Sequence, residues 1–302
     1  MRARAFAKIN LSLRVVGARP DGYHELRTVF QSIALHDTLT IRSVAGPFRL
    51  TCDDRSLACD RTNLVWRAAE RMWKAARRRG ALRGLAIHLS KCIPVQAGLG
   101  GGSSDAAATL GALAKLWRVD PQCVRDSAVT LGADVPYFLE GGTVLGLERG
   151  DVLFPLIDRP RQWVVLVVPA FRVSTKDAYA WFDRGPERPA PHQRLQGDPQ
   201  VARPFQGRDH RRSAKSLAVG VADNDLQDPV SKRYPEISRI VAALRRAGSS
   251  SAALSGSGSA VYGLFETKAS ALEAAGALER GTRRVIVTRT LTRAECRRLA
   301  AK

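Results

Sequence analysis

Cysteine is scarce in this 302-residue chain: Cys52, Cys59, Cys92, Cys123 and Cys296 are odd in number and scattered. With no CxxC spacing and no cysteine–histidine cluster, neither a disulfide framework nor a structural zinc site is expected. Long apolar runs are also missing, since no stretch approaches the roughly 18 uninterrupted apolar residues of a membrane span. The opening residues MRARAFAKIN hold Arg2 and Arg4 but no apolar signal core, and they read directly into a strand, so a cytoplasmic protein is expected. Acidic residues are under-represented, with 28 Asp and Glu against 48 Lys and Arg, which leaves a net charge of +20. Such an excess raises nucleic acid as a partner. The basic residues are dispersed, however; their densest groups are Arg77–Arg79 and Arg211–Arg212, and no aromatic-interleaved basic motif accompanies them. A dispersed excess reads as solvated helix faces and a preference for anionic substrates, not as a nucleic-acid interface. Hydrophobic content of 45% and charged content of 25% are those of a globular protein, and the length allows one large domain or two ordinary ones.

Along the chain, AFAKINLSLRVV alternates, with Ile9, Leu11, Leu13 and Val15 on one face and Lys8, Asn10, Ser12 and Arg14 on the other. Period two predicts a half-buried strand, ended by the turn chemistry of Pro20 and Asp21-Gly22. Further strands are expected over 28–34, 38–44, 48–52, 85–89, 143–156, 163–169 and 283–291. The i, i+4 apolar spacing of Leu64, Ala68, Met72 and Ala76 predicts a helix over 63–79. Other helices are expected from about Ser104 to Trp117, Pro121 to Leu131, Glu236 to Ala247 and Ala269 to Glu279. Residues 184–216 are rich in Pro, Arg, Gly and Gln with almost no periodicity, which reads as an exposed insertion. No repeat of fixed period occurs. Mixed strands and helices without strict alternation predict an α+β fold of two lobes, 1–157 and 158–302.

The segment PVQAGLGGGSSDAA, from Pro94, places Gly98, Gly100, Gly101, Gly102, Ser103 and Ser104 just ahead of an alanine-rich helix. Each glycine costs conformational entropy, roughly 0.5–1 kcal/mol. An anion held on bare backbone amides at a helix start would offset that cost. The serine hydroxyls could cap the helix or bind phosphate and metal. Two familiar phosphate loops do not fit. There is no GxxxxGK(S/T), because no lysine follows the glycines, and a GxGxxG register fails because position 103 is serine. Three other clusters accompany the loop. Lys8 and Asn10 share a strand face, GADVPYF holds Asp134 in an apolar loop, and SGSG at 255–258 forms a second hydroxyl-rich turn. Each has a plain structural reading: a surface lysine, a turn cap before Pro136, a hairpin loop. Together they supply a phosphate cradle, a cation, a base and a second anchoring loop, which phosphoryl transfer requires.

PVQAGLGGGSSDAA resembles the phosphate-binding motif of the GHMP superfamily of small-molecule kinases, and SGSGSAVYGLF resembles that superfamily's third motif. AKINLSL with GARPDGYHEL, LGADVPYFL and NDLQDPV narrow the resemblance to the branch acting on a cytidyl diphosphate sugar alcohol. The resemblance runs from about Phe6 to Arg289, outside 184–216. It implies a two-lobed fold, with an N-terminal lobe resembling a ribosomal-protein domain and a C-terminal α/β sandwich lobe. It also implies ATP with Mg2+ and phosphorylation of the 2-hydroxyl of 4-diphosphocytidyl-2-C-methyl-D-erythritol. In this resemblance Asp134 is the base and Lys8 the residue that polarises the acceptor hydroxyl. ATP is implied at Lys91, near the adenine, and along Pro94, Val95, Gln96, Ala97, Gly98, Leu99, Gly100, Gly101, Gly102, Ser103 and Ser104. Asn10 falls beside the substrate diphosphate. Tyr23 and Tyr179 fall against the cytosine, with His24 reading its edge and Thr175 nearby; Ser255, Gly256 and Ser257 border the sugar alcohol. No metal ligand is named by the motifs. Asp105 is expected to cap the helix, with a magnesium role the alternative. Gln96 sits where small residues are usual. The rival readings are another superfamily member, acting on homoserine, mevalonate or a sugar, and a nucleic-acid-binding protein.

Overall fold

The computed structural model describes residues 1–185, 223–279 and 281–300. From residue 186 on, the stretch read as an insertion lies outside the described residues. The strand predicted at the start is β1 (Arg2–Ala18), which pairs antiparallel with β2 (His24–Pro47). The two strands expected at 28–34 and 38–44 are a single long one. No glycine or proline interrupts it until Gly46, so β2 continues past its neighbours, and different halves of it serve different partners. Its first half pairs with β5 (Thr143–Glu148) and its second half with β4 (Arg83–Ser90). β3 (Arg49–Cys52) lies parallel to β4, and β6 (Val152–Pro155) pairs antiparallel with β5.

The register of β1 on β2 shifts between Phe6 and Lys8, and the direction of burial shifts with it. Ala3 and Ala5 pack beneath the helices, whereas Ala7, Ile9 and Leu11 pack toward the second sheet. Lys8 and Asn10 therefore do not emerge into solvent: they are 4% and 2% exposed.

Three helices cover one face of this sheet: α1 (Leu64–Ala75), α2 (Gly101–Trp117) and α3 (Pro121–Leu131). Asn63 caps α1 by accepting from the Val65 amide. The helix stops short of the expected residue 79 because Arg77 turns left-handed, with φ 55°, ahead of Gly80. α2 is the central helix. Leu110 and Leu113 are completely buried on it, each contributing roughly 1.5–3 kcal/mol, and truncating either to alanine is expected to cost about 2–5 kcal/mol.

The second sheet runs β11 (Arg284–Arg289), β7 (Trp163–Val168), β10 (Val261–Phe265), β9 (Ser251–Leu254), all antiparallel. Its helices are α5 (Thr175–Asp183), α6 (Gln227–Arg233), α7 (Glu236–Arg246) and α8 (Lys268–Leu278), which follow α4 (Val135–Glu140) in the chain. Val164, Leu166, Ala253 and Tyr262 meet Ala7, Ile9 and Leu11 of the first sheet, so the two lobes share one apolar seam. Lobe membership does not follow chain order cleanly at residue 157. The short β8 (Asp223–Asn224) joins β1, and the C-terminal α9 (Arg293–Ala300) packs Cys296 and Leu299 against Phe6. Among the described residues no helix is long and apolar enough to cross a membrane.

Candidate functional site

A cleft of about 1350 Å³ opens where the two lobes meet. The glycine loop forms one wall. Gly98 and Gly100 carry φ of +75° and +71°, and a Cβ on Gly98 would stand 2.0 Å from the Ser255 carbonyl oxygen. A Cβ on Gly100 would meet the Phe138 ring at 2.5 Å. Within this loop these are the two positions where glycine is required by both conformation and space. The loop is strung between the lobes: the Lys8 amide donates to the Leu99 carbonyl at 3.1 Å and the Ala260 amide to the Ala97 carbonyl at 3.1 Å.

The helix begins at Gly101, three residues ahead of the expected Ser104, because left-handed Gly100 takes the N-cap position without any side-chain cap. Gly101, Gly102 and Ser103 thus occupy the first turn, where amides lack intrahelical partners, and all three line the cleft. Ser104 does not. It is 2% exposed and its hydroxyl donates to the Phe6 carbonyl at 2.6 Å, so its role is to seat α2 on β1. The rest of the predicted loop, Pro94 to Gly100, lines the cleft.

Asp105 is not a helix cap. Its carboxylate is buried against the Lys91 ammonium at 2.8 Å, and Lys91 also bonds Asp37. Burial, and secondarily Asp37, push the Asp105 carboxyl up to about 8 against the pull of Lys91. Burial works against the Lys91 charge as well, but Asp105 and Asp37 outweigh it and raise the ammonium. Asp37 further accepts from the Cys92 and Ile93 amides at 2.5 and 2.8 Å, which fixes the start of the loop. Lys91 borders the cleft as expected, yet its charge is shared by two carboxylates.

Asp134 precedes α4, the helix that replaces the expected apolar loop; Pro136 in its first turn suits a helix start. The Asp134 side chain makes no capping bond and is 36% exposed, with Oδ2 3.7 Å from Lys8 Nζ. Its carboxylate is thereby free to accept from another group. Burial lowers the Lys8 ammonium from its ordinary value, and the facing Asp134 opposes that shift. Lys8 also donates to Asn10 Oδ1 at 2.7 Å. Asn10 lines the cleft, but both ends of its amide are engaged, by Lys8 and by Thr28.

The SGSG turn joins β9 to β10. Gly256 and Ser257 line the cleft, whereas Ser255 is fully buried and donates to the Gly98 carbonyl at 2.9 Å. Ser255 accordingly ties the two loops together. Thr175 and Ser257 hydroxyls lie 3.0 Å apart. At the far end, His24 stacks on Tyr179 with ring centroids 4.6 Å apart, and its Nε2 meets Asp183 Oδ1 at 2.8 Å. Tyr23 stands apart, 57% exposed with the Arg149 guanidinium 5.4 Å from its ring. Tyr23, His24 and Tyr179 all line the cleft, and the stack and the Asp183 contact hold His24 on the Tyr179 ring. Burial raises the Tyr179 hydroxyl, with Asp134 adding to the shift.

Several cleft residues escaped the sequence reading. Thr62, Asn63, Arg149, Arg172 and Asp183 also line the cleft. Asn224 supports the SGSG turn by donating to the Leu254 and Gly256 carbonyls at 2.8 and 2.7 Å. The NDLQDPV match pointed at the last of these; the others carry no local signal. No group of three or more His, Cys, Asp or Glu suited to a metal occurs among the described residues. The donors at the loop fit a metal carried mainly by phosphate oxygens, with Ser103 the hydroxyl available to it.

Family models for the GHMP kinases N terminal domain and the GHMP kinases C terminal match residues 63–142 and 205–282. The chain is 42% identical to a 4-diphosphocytidyl-2-C-methyl-D-erythritol kinase of Solibacter usitatus, over 88% of this chain and 81% of that one. It is 40% identical to the kinase of the same name from Pelotomaculum thermopropionicum, over 95% and 97% of the two chains. A crystal structure of a 4-(cytidine 5'-diphospho)-2C-methyl-D-erythritol kinase superposes with TM-score 0.74 at 35% identity, over 96% of this chain and 100% of that chain. Fold, cleft and sequence agree: the chain belongs to the 4-diphosphocytidyl-2-C-methyl-D-erythritol kinase family of the GHMP kinases.

Proposed function

We propose that this chain transfers the γ-phosphoryl group of ATP to the 2-hydroxyl of 4-diphosphocytidyl-2-C-methyl-D-erythritol, giving the 2-phosphate in the non-mevalonate route to isoprenoid precursors. The observation that carries the reading is the Lys8–Asp134 pair, 3.7 Å apart, at the cleft wall beside the glycine loop and the SGSG turn. The unpartnered amides of the first turn of α2 receive the triphosphate, which favours negative charge at that helix end. Asp134, free of any cap, takes the proton of the acceptor hydroxyl as general base. Lys8 orients that carboxylate and offsets charge developing on the attacking oxygen. Alignment and charge account for most of the rate in such a transfer, since the phosphoryl group needs little covalent help.

Mg2+ bound with ATP would neutralise phosphate charge, and the Ser103 hydroxyl lining the cleft would be a protein oxygen able to hold it. The cytidyl group lies at Tyr23, His24 and Tyr179, and the diphosphate between it and Asn10. The enzyme works in the cytoplasm on small molecules, without nucleic acid. A coupled assay with ATP tests the reading, offering the cytidyl substrate beside mevalonate and homoserine. Turnover with the cytidyl compound alone is expected; preference for either of the others would overturn it.

A further inference from the structure

Thr28 lies on β2 opposite Leu13, is completely buried, and belongs to neither the glycine loop nor the base-binding end. Its hydroxyl sits in a chain of hydrogen bonds that ends on Lys8. Lys8 Nζ donates to Asn10 Oδ1 at 2.7 Å, Asn10 Nδ2 donates to Thr28 Oγ1 at 2.7 Å, and Thr28 Oγ1 donates to the Ser12 carbonyl at 2.8 Å. The direction of the chain is forced from both ends. An ammonium can only donate, so the amide must turn its oxygen toward Lys8. A backbone carbonyl can only accept, so the threonine proton must go to Ser12, which leaves the Thr28 oxygen to receive the amide N–H. Removing the hydroxyl would leave the Asn10 N–H without its buried acceptor and loosen the amide whose oxygen receives the Lys8 ammonium.

The ammonium has little room to find another acceptor. A Cβ on Gly256 would come within 3.4 Å of both Lys8 Nζ and Asn10 Oδ1, and one on Gly100 within 3.3 Å of Lys8 Cγ. Phe30 of β2 places its ring 5.4 Å from Nζ. Of the groups that meet Lys8 from β1, β2, the glycine loop, the SGSG turn and the start of α4, the titratable one is Asp134, at 3.7 Å.

We infer that Thr28 is a positioning residue for phosphoryl transfer: through Asn10 it fixes the direction in which the Lys8 ammonium points, leaving the remaining protons of Lys8 for Asp134 and the acceptor hydroxyl. The inference rests on the role proposed above for Lys8. It is distinct from a packing role, because a valine fills the same volume without the hydroxyl.

The test is steady-state kinetics of Thr28→Val, Thr28→Ser and Lys8→Met across pH. For Thr28→Val, kcat is expected to fall about tenfold or more with KM for ATP unchanged. The alkaline limb of its kcat profile is expected to move down by about one pH unit, the worth of one hydrogen bond to a charged group. Thr28→Ser restores both. A limb that stays in place while the melting temperature drops would mean packing only and overturn the inference. If Thr28→Val does not fold, Thr28→Ala removes the same hydroxyl without bulk and must displace the limb in the same direction. Full turnover in Lys8→Met would instead overturn the proposed role of Lys8, a result separable from any obtained at Thr28.

Discussion

The Ser255 hydroxyl donates to the Gly98 carbonyl at 2.9 Å, and the Ser255 carbonyl lies where a Gly98 side chain would begin. One contact thus joins the glycine loop of the first lobe to the SGSG turn of the second. The cleft is closed on this side by backbone against backbone, which leaves no flexible side chain to yield.

Gly98→Ala should therefore cost far more than a left-handed glycine usually does. The φ of +75° alone costs about 1–2 kcal/mol for an L-residue. The 2.0 Å overlap with a carbonyl adds displacement of one loop from the other. Gly248 provides the comparison, with φ +86° and nothing within 4 Å of its Cβ. Urea denaturation should give about 1 kcal/mol for Gly248→Ala and at least twice that for Gly98→Ala, with kcat/KM reduced only in the latter. Equal losses would remove the special role of the loop contact.

Tyr179→Ala removes the ring on which His24 stacks. Base–aromatic stacking contributes roughly 1–3 kcal/mol. KM for the cytidyl substrate should accordingly rise by about 5- to 150-fold, with KM for ATP little changed. A parallel rise in both constants would place Tyr179 outside base binding.

The Asp105 carboxyl, held at about 8 by burial and Asp37, makes stability depend on pH. Unfolded, the same carboxyl titrates near 3.8. Between those values the folded chain binds more protons than the unfolded one, so stability falls as pH rises through that window. Asp105→Asn cannot ionise, and its unfolding free energy should fall less between pH 5 and pH 8.5 than that of the parent chain. Parallel pH curves for the two proteins would show that Asp105 is not the group responsible.

Much of this was legible in the residues, and the reasons differ by element. β1 announced itself through strict alternation, and the glycine loop through a composition few other structures tolerate. α4 was hidden because GADVPYF is short and apolar, without a period to read; only the fold shows that Pro136 opens a helix and leaves Asp134 uncapped. The burial of Lys8 and Asn10 was equally hidden, since it depends on a register shift against β2. Asp37, Asp105 and Lys91 are spread along the sequence, and their cluster exists only because β2 and α2 both border residue 91. Asp183 reaches His24 across the cleft from α5, a pairing no spacing could forecast. Motifs marked the loops that line the cleft; packing decided that Ser104 and Ser255 within them hold the walls in place.

The removal of the acceptor hydroxyl's proton by Asp134 is measured by the turnover of Asp134→Asn alongside its nucleotide affinity. Positioned general bases contribute about 10²- to 10⁴-fold. Asp134→Asn is expected to lose kcat in that range with ATP affinity unchanged. Near-normal kcat would contradict it.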